Sequence, residues 1–209
     1  MIIAVEGPSA AGKTHWLRRL AADNTVWEAE VLPDAPDRAV DPDAAERYWA
    51  ERNAERWALA VQYEEEHDFV FCDTDPLKLH YVWSLCRINA ASAANWARAV
   101  EVHRELLQHR EVGFTDLVIV SIPDEVTLRQ RKESDMTRRR RNFEKHVRLS
   151  EHLRSWYEIL NSIEPGKVLW GFPEDVTSAR AASKDAGYLS RYSRELFEEL
   201  VQKATGLVV

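Results

Sequence analysis

Residues 7–14 read Gly7-Pro-Ser-Ala-Ala-Gly12-Lys13-Thr14 and fit the pattern G-x-x-x-x-G-K-[S/T]. An apolar run at residues 2–5 precedes this stretch, and an amphipathic pattern over residues 13–22 follows it. Between a strand and a helix, the glycines let the backbone N–H groups of such a loop turn inward around phosphate oxygens. The positive end of the helix dipole adds to the same point. The stretch therefore predicts a nucleotide phosphate site rather than a chance glycine-rich turn.

Each residue of this phosphate loop has an expected role. Backbone contacts to the phosphates of ATP are expected from Gly7, Ser9, Ala10, Ala11, Gly12 and Lys13. The Lys13 ammonium is predicted to contact the β- and γ-phosphates as part of the catalytic machinery, and the Thr14 hydroxyl to ligate magnesium. The predicted cofactors are therefore ATP and Mg²⁺.

Outside the loop, short apolar runs alternate with helical patterns along the whole chain. The predicted strands are residues 2–5, 25–32, 69–72, 117–122 and 167–170. The predicted helices are residues 13–22, a long one capped at Asp41 or Asp43 and reaching about 67, 77–88, 93–110, one from about 124, 137–160 and 190–204. Buried strands joined by crossover helices indicate an α/β fold with a doubly wound five-stranded parallel sheet. We expect the P-loop nucleoside triphosphate hydrolase architecture of the nucleotide kinase-like kind.

Composition excludes several classes of protein. The 209 residues are 45% hydrophobic and 30% charged, which predicts a single domain over residues 1–209. A net charge of -7 argues against a general nucleic-acid binder, which needs positive surface for the phosphates. Two cysteines allow neither a disulfide framework nor a four-thiolate zinc site. The sequence shows no signal-peptide pattern and no run near the ~18 apolar residues of a membrane span, so a cytoplasmic location without membrane contact is predicted.

Two aspartates follow the third predicted strand. The carboxyl end of a parallel strand beside the first one opens onto the phosphate crevice. We therefore expect Asp73 to be catalytic or to hold magnesium, and Asp75 to face the phosphate acceptor. The alternative is that both cap the next helix.

Residues 129–141 carry seven basic residues against two acidic ones, a local charge of +5 that leaves -12 on the rest of the chain. Arginine forks match phosphate oxygens and offset the charge of a phosphoryl-transfer transition state. We predict a lid over residues 124–142, in which Arg131 and Arg138 contact the phosphates and act in catalysis. A solvated charged face or a nucleic-acid patch is the alternative.

The residues that bind the acceptor are less clearly marked. In addition to Asp75, the candidates are Glu30 in the second predicted strand, Arg38 in the loop after it, and Tyr81 in the helix after the third strand. An aromatic acceptor pocket is a further hypothesis, although ordinary core packing is the favoured interpretation for any single tryptophan among its candidate members: Tyr48, Trp49, Trp57, Tyr63, His80, Tyr81, Trp83 and Trp96. Residues 171–174 fall where the adenine ring is expected or form an exposed turn.

Residues 3–7, running into the phosphate loop, resemble the opening of deoxynucleoside and thymidylate kinases. Asp73-Thr-Asp75 with the arginine-rich segment after it resembles kinases of the nicotinamide riboside kinase type. The resemblance spans residues 2 to about 170 and implies ATP with magnesium and the phosphorylation of a small hydroxylated acceptor. One position departs from it, since deoxynucleoside kinases carry Arg after the acidic residue and Thr74 stands here.

The sequence therefore predicts an ATP-dependent small-molecule kinase that transfers the γ-phosphoryl group to a hydroxyl, with either Asp73, Asp75 or Glu30 as the base. Two alternatives stay open. A nucleotide monophosphate kinase would use arginines such as Arg38, Arg52 and Arg87, and a non-enzymatic nucleotide-binding regulator would use the loop as a switch. A homodimer through the long middle helices is also possible.

Overall fold

The computed structural model describes residues 1–27, 35–37, 40–136, 142–175 and 191–207. The strands are β1 (Ile2–Glu6), β2 (Thr25–Val26), β3 (Val70–Cys72), β4 (Leu117–Val120) and β5 (Val168–Trp170). The helices are α1 (Lys13–Leu20), α2 (Pro42–Tyr63), α3 (Leu79–Arg87), α4 (Ala93–Gln108), α5 (Glu125–Ser134), α6 (Phe143–Ile163) and α7 (Arg194–Thr205).

The five strands form one sheet in the order β2-β3-β1-β4-β5, and every pair is parallel. β1 lies at the centre of the sheet, between β3 and β4. All five of its residues are buried, as expected for a strand with a neighbour on each side. In register, Ile3 pairs with Phe71 on one side and Leu117 on the other. The predicted doubly wound parallel sheet of the P-loop kinase type is confirmed.

Helices cover both faces of this sheet. On one face, Trp16 and Leu17 of α1 pack with Ile3 and Ile119. The larger core lies on the other face, where the tryptophans of α2, α3, α4 and α6 meet: Trp57, Trp83, Trp96 and Trp156. Three of these were candidates for an acceptor pocket, and the structure places them in the core instead.

Several predicted boundaries shift. β2 covers only the first two residues of its predicted range, and residues 28–34 lie outside the described part of the chain. β4 ends at Val120, two residues early. α6 begins at Phe143 instead of residue 137, and residues 137–141 are outside the described ranges. Asp41 caps α2 as predicted, accepting a hydrogen bond from the Ala44 amide at 2.9 Å.

An ionic cluster closes the amino end of the sheet. The Arg191 guanidinium donates to Asp116 Oδ1 at 2.7 Å and to both carboxylate oxygens of Glu64 at 2.7 Å. Asp116 also accepts the Ile2 amide at 2.7 Å, which joins the cluster to β1. Burial raises the pKa of Glu64, but the hydrogen bonds and charges of Arg191 and the amino terminus together outweigh it, and the pKa lies below its usual value. Each carboxylate of this amino-end cluster therefore has a cation beside it.

Across the described ranges, no helix combines the length and the apolar character that a membrane crossing requires.

Candidate active site

The phosphate loop, residues 7–14, follows β1 directly and depends on glycine at two points. At Gly7 φ is 153°, and a Cβ there would lie 2.2 Å from the backbone oxygen of Ser121 at the end of β4. Gly12 caps α1 with φ 102°. Both conformations disfavour any L side chain, so the loop keeps its backbone close to β4 and its amides available for an anion.

Two cations of the predicted catalytic set contact this loop. Lys13 Nζ donates to the Gly7 carbonyl at 2.5 Å, and Arg131 Nη1 of α5 donates to the Ala11 carbonyl at 2.6 Å. The guanidinium thus joins the predicted lid helix to the loop. Arg138, the second predicted lid arginine, lies outside the described residues.

A cavity of about 1010 Å³ opens in front of the loop. It extends from residues 7–14 to the facing sides of α3 and α6. Its lining includes five Lys and Arg side chains against three carboxylates: Lys13, Arg18, Arg19, Lys78 and Arg131 against Glu6, Asp73 and Asp135. The cavity is therefore locally positive in a chain whose net charge is -7, as a polyphosphate site requires.

Asp73 lines the cavity just beyond β3, and an arginine behind it holds its carboxylate. Arg56 of α2 is buried, and its Nη2 donates to Asp73 Oδ1 at 3.1 Å and to the Thr74 carbonyl at 3.0 Å. The guanidinium therefore comes from a distant helix, while Thr74 occupies the position after the aspartate. Asp73 is the member of the Asp73–Asp75 pair that the structure places on the cavity.

Asp75 lies behind the cavity wall instead. Its Oδ1 accepts the Leu77 amide at 3.0 Å and its Oδ2 accepts the Tyr157 hydroxyl at 3.1 Å. Burial, together with the charge of nearby Glu6, raises the pKa of Asp75 to about 6. Burial and the same carboxylates raise the pKa of Tyr157 well above its usual value. The bond to Leu77 is a turn contact before α3: that helix begins at Leu79 with Lys78 as its N-cap and no side-chain cap, so the capping alternative is wrong for Asp75.

Glu6, the last residue of β1, connects the loop to the segment after β3. Its Oε2 accepts the Gly7 amide at 3.2 Å, while its Oε1 accepts the Asp75 amide at 2.8 Å and lies 3.1 Å from His80 Nε2. Burial lowers the pKa of His80 to about 4. We call Glu6, Asp75, His80 and Tyr157 the carboxyl-end cluster, and two of its members, Glu6 and His80, line the cavity.

The far wall of the cavity is less polar and comes from α3 and α6. Its residues are Tyr81 and Ser84 on α3, and His146, Leu149 and Leu153 on α6. The rings of Tyr81 and His146 are 6.2 Å apart. Tyr81 is the predicted acceptor residue that the structure brings here, while Glu30 and Arg38 fall outside the described residues.

The segment after β5 lies against α1 on another side of the loop. Phe172 stacks on Trp16 with ring centroids 5.6 Å apart, and the Trp16 indole N–H donates to the Pro173 carbonyl at 2.8 Å. Phe172 is the residue of 171–174 that lines the cavity, and an adenine site at this segment stays a prediction.

Magnesium would depend on phosphate oxygens at this site. In the described part of the chain, no group of three or more His, Cys, Asp or Glu residues is arranged to hold a metal ion. Mg²⁺ in phosphoryl-transfer sites needs only one or two protein oxygens in addition to phosphates. Thr14 and Asp73, both on the cavity lining, supply oxygen donors of the right kind.

Of the three arginines that the monophosphate kinase alternative would use, the two described ones contact other groups. Arg52 pairs with Glu55 on the surface of α2, and Arg87 donates to the Leu207 carbonyl. Neither residue is part of the cavity lining, and Arg38 is not among the described residues.

Sequence reasoning missed three positions of this candidate site. Glu6 and His80 were seen only as part of a motif opening and as a pocket aromatic, and Arg56 carried no signal at all. The position of Glu6, between the buried strand and the glycine loop, was a usable signal. Arg56 became visible only when α2 and β3 came together, because 17 positions separate it from Asp73.

Comparison with known proteins agrees with this geometry. The AAA domain family matches residues 2–163. No curated protein matches the sequence significantly.

Similar solved structures include deoxyadenosine kinase from M. mycoides with bound dATP, with a TM-score of 0.57 at 13% identity over 86% of this chain and 95% of that one. The same enzyme with bound dCTP gives a TM-score of 0.54 at 14% identity over 86% and 94%. The NadR protein in complex with NR gives 0.51 at 18% identity over 98% of this chain and 51% of that one. At 13–18% identity these likenesses establish the fold, which is the fold of the kinase group that the sequence resembles.

Proposed function

Because the chain belongs to the AAA domain family and has a P-loop kinase-like fold, we propose that it is an ATP-dependent small-molecule kinase. The reaction is transfer of the γ-phosphoryl group of ATP to a hydroxyl of a nucleoside-like acceptor. One observation carries the proposal: a single cavity has a phosphate loop at one end and an aromatic and apolar wall at the other. Its volume, about 1010 Å³, is at the top of the usual range for ligand pockets and suits two substrates.

The chain's own residues divide the work along that cavity. The loop amides and Lys13 bind the β- and γ-phosphates, and Arg131 closes over them from α5. Thr14 and Asp73 hold Mg²⁺, which offsets the charge on the phosphate oxygens when it is bound. Phe172 and Trp16 lie at the adenine side.

The wall formed by α3 and α6 is the acceptor site in this proposal. Among the described residues, the two helices line it with a tyrosine, a serine, two histidines and two leucines, and Lys78 lies at the cap before α3. Such a wall suits a neutral ring better than a phosphate. The deoxyadenosine kinase and the NadR protein in complex with NR, which share the fold, support an acceptor with a ribose-like hydroxyl.

The test is ADP release with ATP and magnesium across nucleosides, ribosides, sugars and nucleoside monophosphates. We expect stimulation by a neutral riboside or nucleoside, and Lys13→Ala is expected to lower kcat by roughly 10⁴-fold or more, since it removes a cation from the transferring phosphoryl group. Lys203→Ala is the matched control, because Lys203 pairs with Glu199 on the surface of α7.

Circular dichroism of Lys13→Ala checks that the fold is intact. Full activity of Lys13→Ala would refute the proposal. Stimulation by monophosphates alone would assign the acceptor to another class, and tight ATP binding without any stimulation would favour a nucleotide-dependent regulator.

A further inference from the structure

Glu6 and His80 form a buried pair where the phosphate loop meets the acceptor wall. The two side chains are 5% and 7% exposed, and Glu6 Oε1 lies 3.1 Å from His80 Nε2. Both residues line the cavity. The pair therefore lies between the two substrates of the proposed reaction.

The hydrogen bonds of Glu6 determine which nitrogen of His80 carries the hydrogen. Each carboxylate oxygen of Glu6 already accepts a backbone N–H, from Gly7 or from Asp75. A carboxylate in this setting accepts and does not donate, so His80 Nε2 must be the donor. The ring has only one hydrogen when it is neutral, which leaves Nδ1 with its lone pair.

The charged groups around His80 keep it neutral. Lys13 of α1 and Lys78, the cap of α3, both disfavour a second proton, whereas the Glu6 carboxylate favours one. Tyr157 of α6 lies with its ring 5.6 Å away and carries Asp75 on its hydroxyl. Burial decides the balance, and the pKa of His80 falls to about 4. Within the described part of the chain, the hydrogen bond found for the His80 ring is the one at Nε2.

We propose that His80, oriented by Glu6, accepts the hydrogen bond of the acceptor hydroxyl at Nδ1. This inference rests on the proposed kinase function and assigns its proton acceptor to a residue other than Asp73, Asp75 or Glu30. The hydroxyl oxygen bonds to the γ-phosphorus while the bond from that phosphorus to the β,γ-bridging oxygen breaks. ADP leaves, and the hydroxyl proton passes to His80 Nδ1 and then to solvent.

A weak base is sufficient for this step. The phosphoryl-transfer transition state is loose, so the hydroxyl loses little of its proton before the new phosphorus–oxygen bond has formed. His80 therefore acts mainly by pointing the oxygen lone pair at phosphorus. Asp73, held by Arg56, is then left to the magnesium side of the cavity.

Two substitutions separate the acceptor role of His80 from its contact with Glu6. In His80→Gln the amide nitrogen can take the place of Nε2 and still donate to Glu6, but nothing replaces Nδ1. In His80→Asn the amide oxygen can take the place of Nδ1, but the contact with Glu6 is lost. We expect His80→Gln to lower kcat by roughly 10²-fold with an unchanged KM for ATP and an unchanged Tm.

For His80→Asn we expect the reverse pattern, a lower Tm with kcat within about tenfold of wild type. Measurement of kcat, KM and Tm for both variants decides the matter. If kcat instead follows the contact with Glu6, so that His80→Gln is active and His80→Asn is not, His80 is only structural and the inference is overturned.

The tautomer provides a test that needs no acceptor. Long-range ¹H–¹⁵N correlation of the histidine-labelled wild-type protein distinguishes hydrogen on Nε2 from hydrogen on Nδ1. Hydrogen on Nε2 supports the inference, and hydrogen on Nδ1 overturns it whatever the activity. A wild-type protein that has the Nε2 tautomer but phosphorylates no acceptor instead refutes the kinase proposal, and the role of His80 falls with it.

Discussion

Two buried polar clusters lie at opposite ends of the same sheet, and they treat charge differently. In the amino-end cluster, Arg191 lies between Asp116 and Glu64, so that each carboxylate meets a guanidinium. In the carboxyl-end cluster, Glu6 and Asp75 lie close together and are held by amides, an imidazole and a phenol. The pKa of Glu64 is lowered, whereas that of Asp75 is raised to about 6.

The contrast separates two uses of buried charge. A carboxylate with a buried cation beside it contributes to the cohesion of the fold, because breaking such a pair leaves an uncompensated charge. Buried carboxylates without such a cation destabilise the fold, and their uncompensated charge leaves a strong electrostatic field at the site. At the end of the sheet that carries the phosphate loop, cations compensate the charge of the buried carboxylates less than at the other end.

The largest expected effect is at the amino end. Arg191→Met leaves the buried Asp116 and the half-buried Glu64 without their guanidinium, although the amino-terminal ammonium still pairs with Glu64. The free energy of unfolding should therefore fall by about 3 kcal/mol. Below the unfolding temperature kcat should change by less than about twofold, since the cluster is remote from the cavity. Urea unfolding and ADP release measure the two quantities.

Arg104→Met is the matched control for Arg191→Met. Arg104 pairs with Glu198 and Glu101 at the surface, and its loss should cost less than about 1 kcal/mol. Equal losses of stability from Arg104→Met and Arg191→Met would remove the distinction between the two clusters.

A smaller effect, and one on rate, is expected beside the phosphate loop. Arg56→Met releases the Asp73 carboxylate from its position on the cavity, so kcat should fall by roughly 10- to 100-fold. Arg52→Met is the control on the same helix, because Arg52 pairs with Glu55 at the surface. Steady-state kinetics of both variants provide the measurement, and a variant Arg56→Met that loses stability but keeps its kcat would contradict this role.

The smallest expected effect is a gain of stability. The native state raises the pKa of Asp75 from 3.8 to about 6, so it binds that proton more tightly than the unfolded chain does. The stabilising contribution is present below pH ~4 and is lost as the pH rises through about 6. The shift in pKa corresponds to about 3 kcal/mol at pH 8, and the weaker hydrogen bonding of an amide at this position offsets about half of it. Asp75→Asn should therefore be more stable than wild type by about 1–2 kcal/mol.

The difference between wild type and Asp75→Asn should shrink as the pH falls from 8 to 4. Urea unfolding across that range measures it. Asp116→Asn serves as the counterpart at the other end of the sheet and should lose stability at pH 8. If Asp75→Asn is the less stable protein at pH 8, the two ends do not differ in the way described.

The fold could be predicted because its determinants are local. The motif at residues 7–14 and the buried apolar runs are contiguous, and a parallel sheet follows from their alternation with helices. Boundaries were less certain, as the two-residue β2 and the late start of α6 illustrate. Apolar runs also continue past the last ladder hydrogen bond, which is why β4 was predicted two residues too long.

The candidate site divides in the same way. Lys13, Thr14 and Asp73 were found because their sequence neighbours define their place at the carboxyl ends of β1 and β3. Arg56 and the α6 wall were not found, because helix packing brings them to the site from distant parts of the sequence. Arg56 lies 17 positions before Asp73, and the α6 residues on the cavity lie more than 70 positions after it. The lid over residues 124–142 and the position of Arg138 at the phosphates stay predictions.

The support of the phosphate loop by β4 has a consequence for biosynthesis. β1 is synthesised before the other four strands, yet it is the central one, and the Gly7 backbone lies against the Ser121 carbonyl. The emerging chain must therefore hold an apolar strand with at least one unpaired edge until more than a hundred further residues have been translated. Nucleotide affinity should arise late and abruptly during synthesis, and chaperone occupancy of the nascent chain should be greatest before β4 emerges.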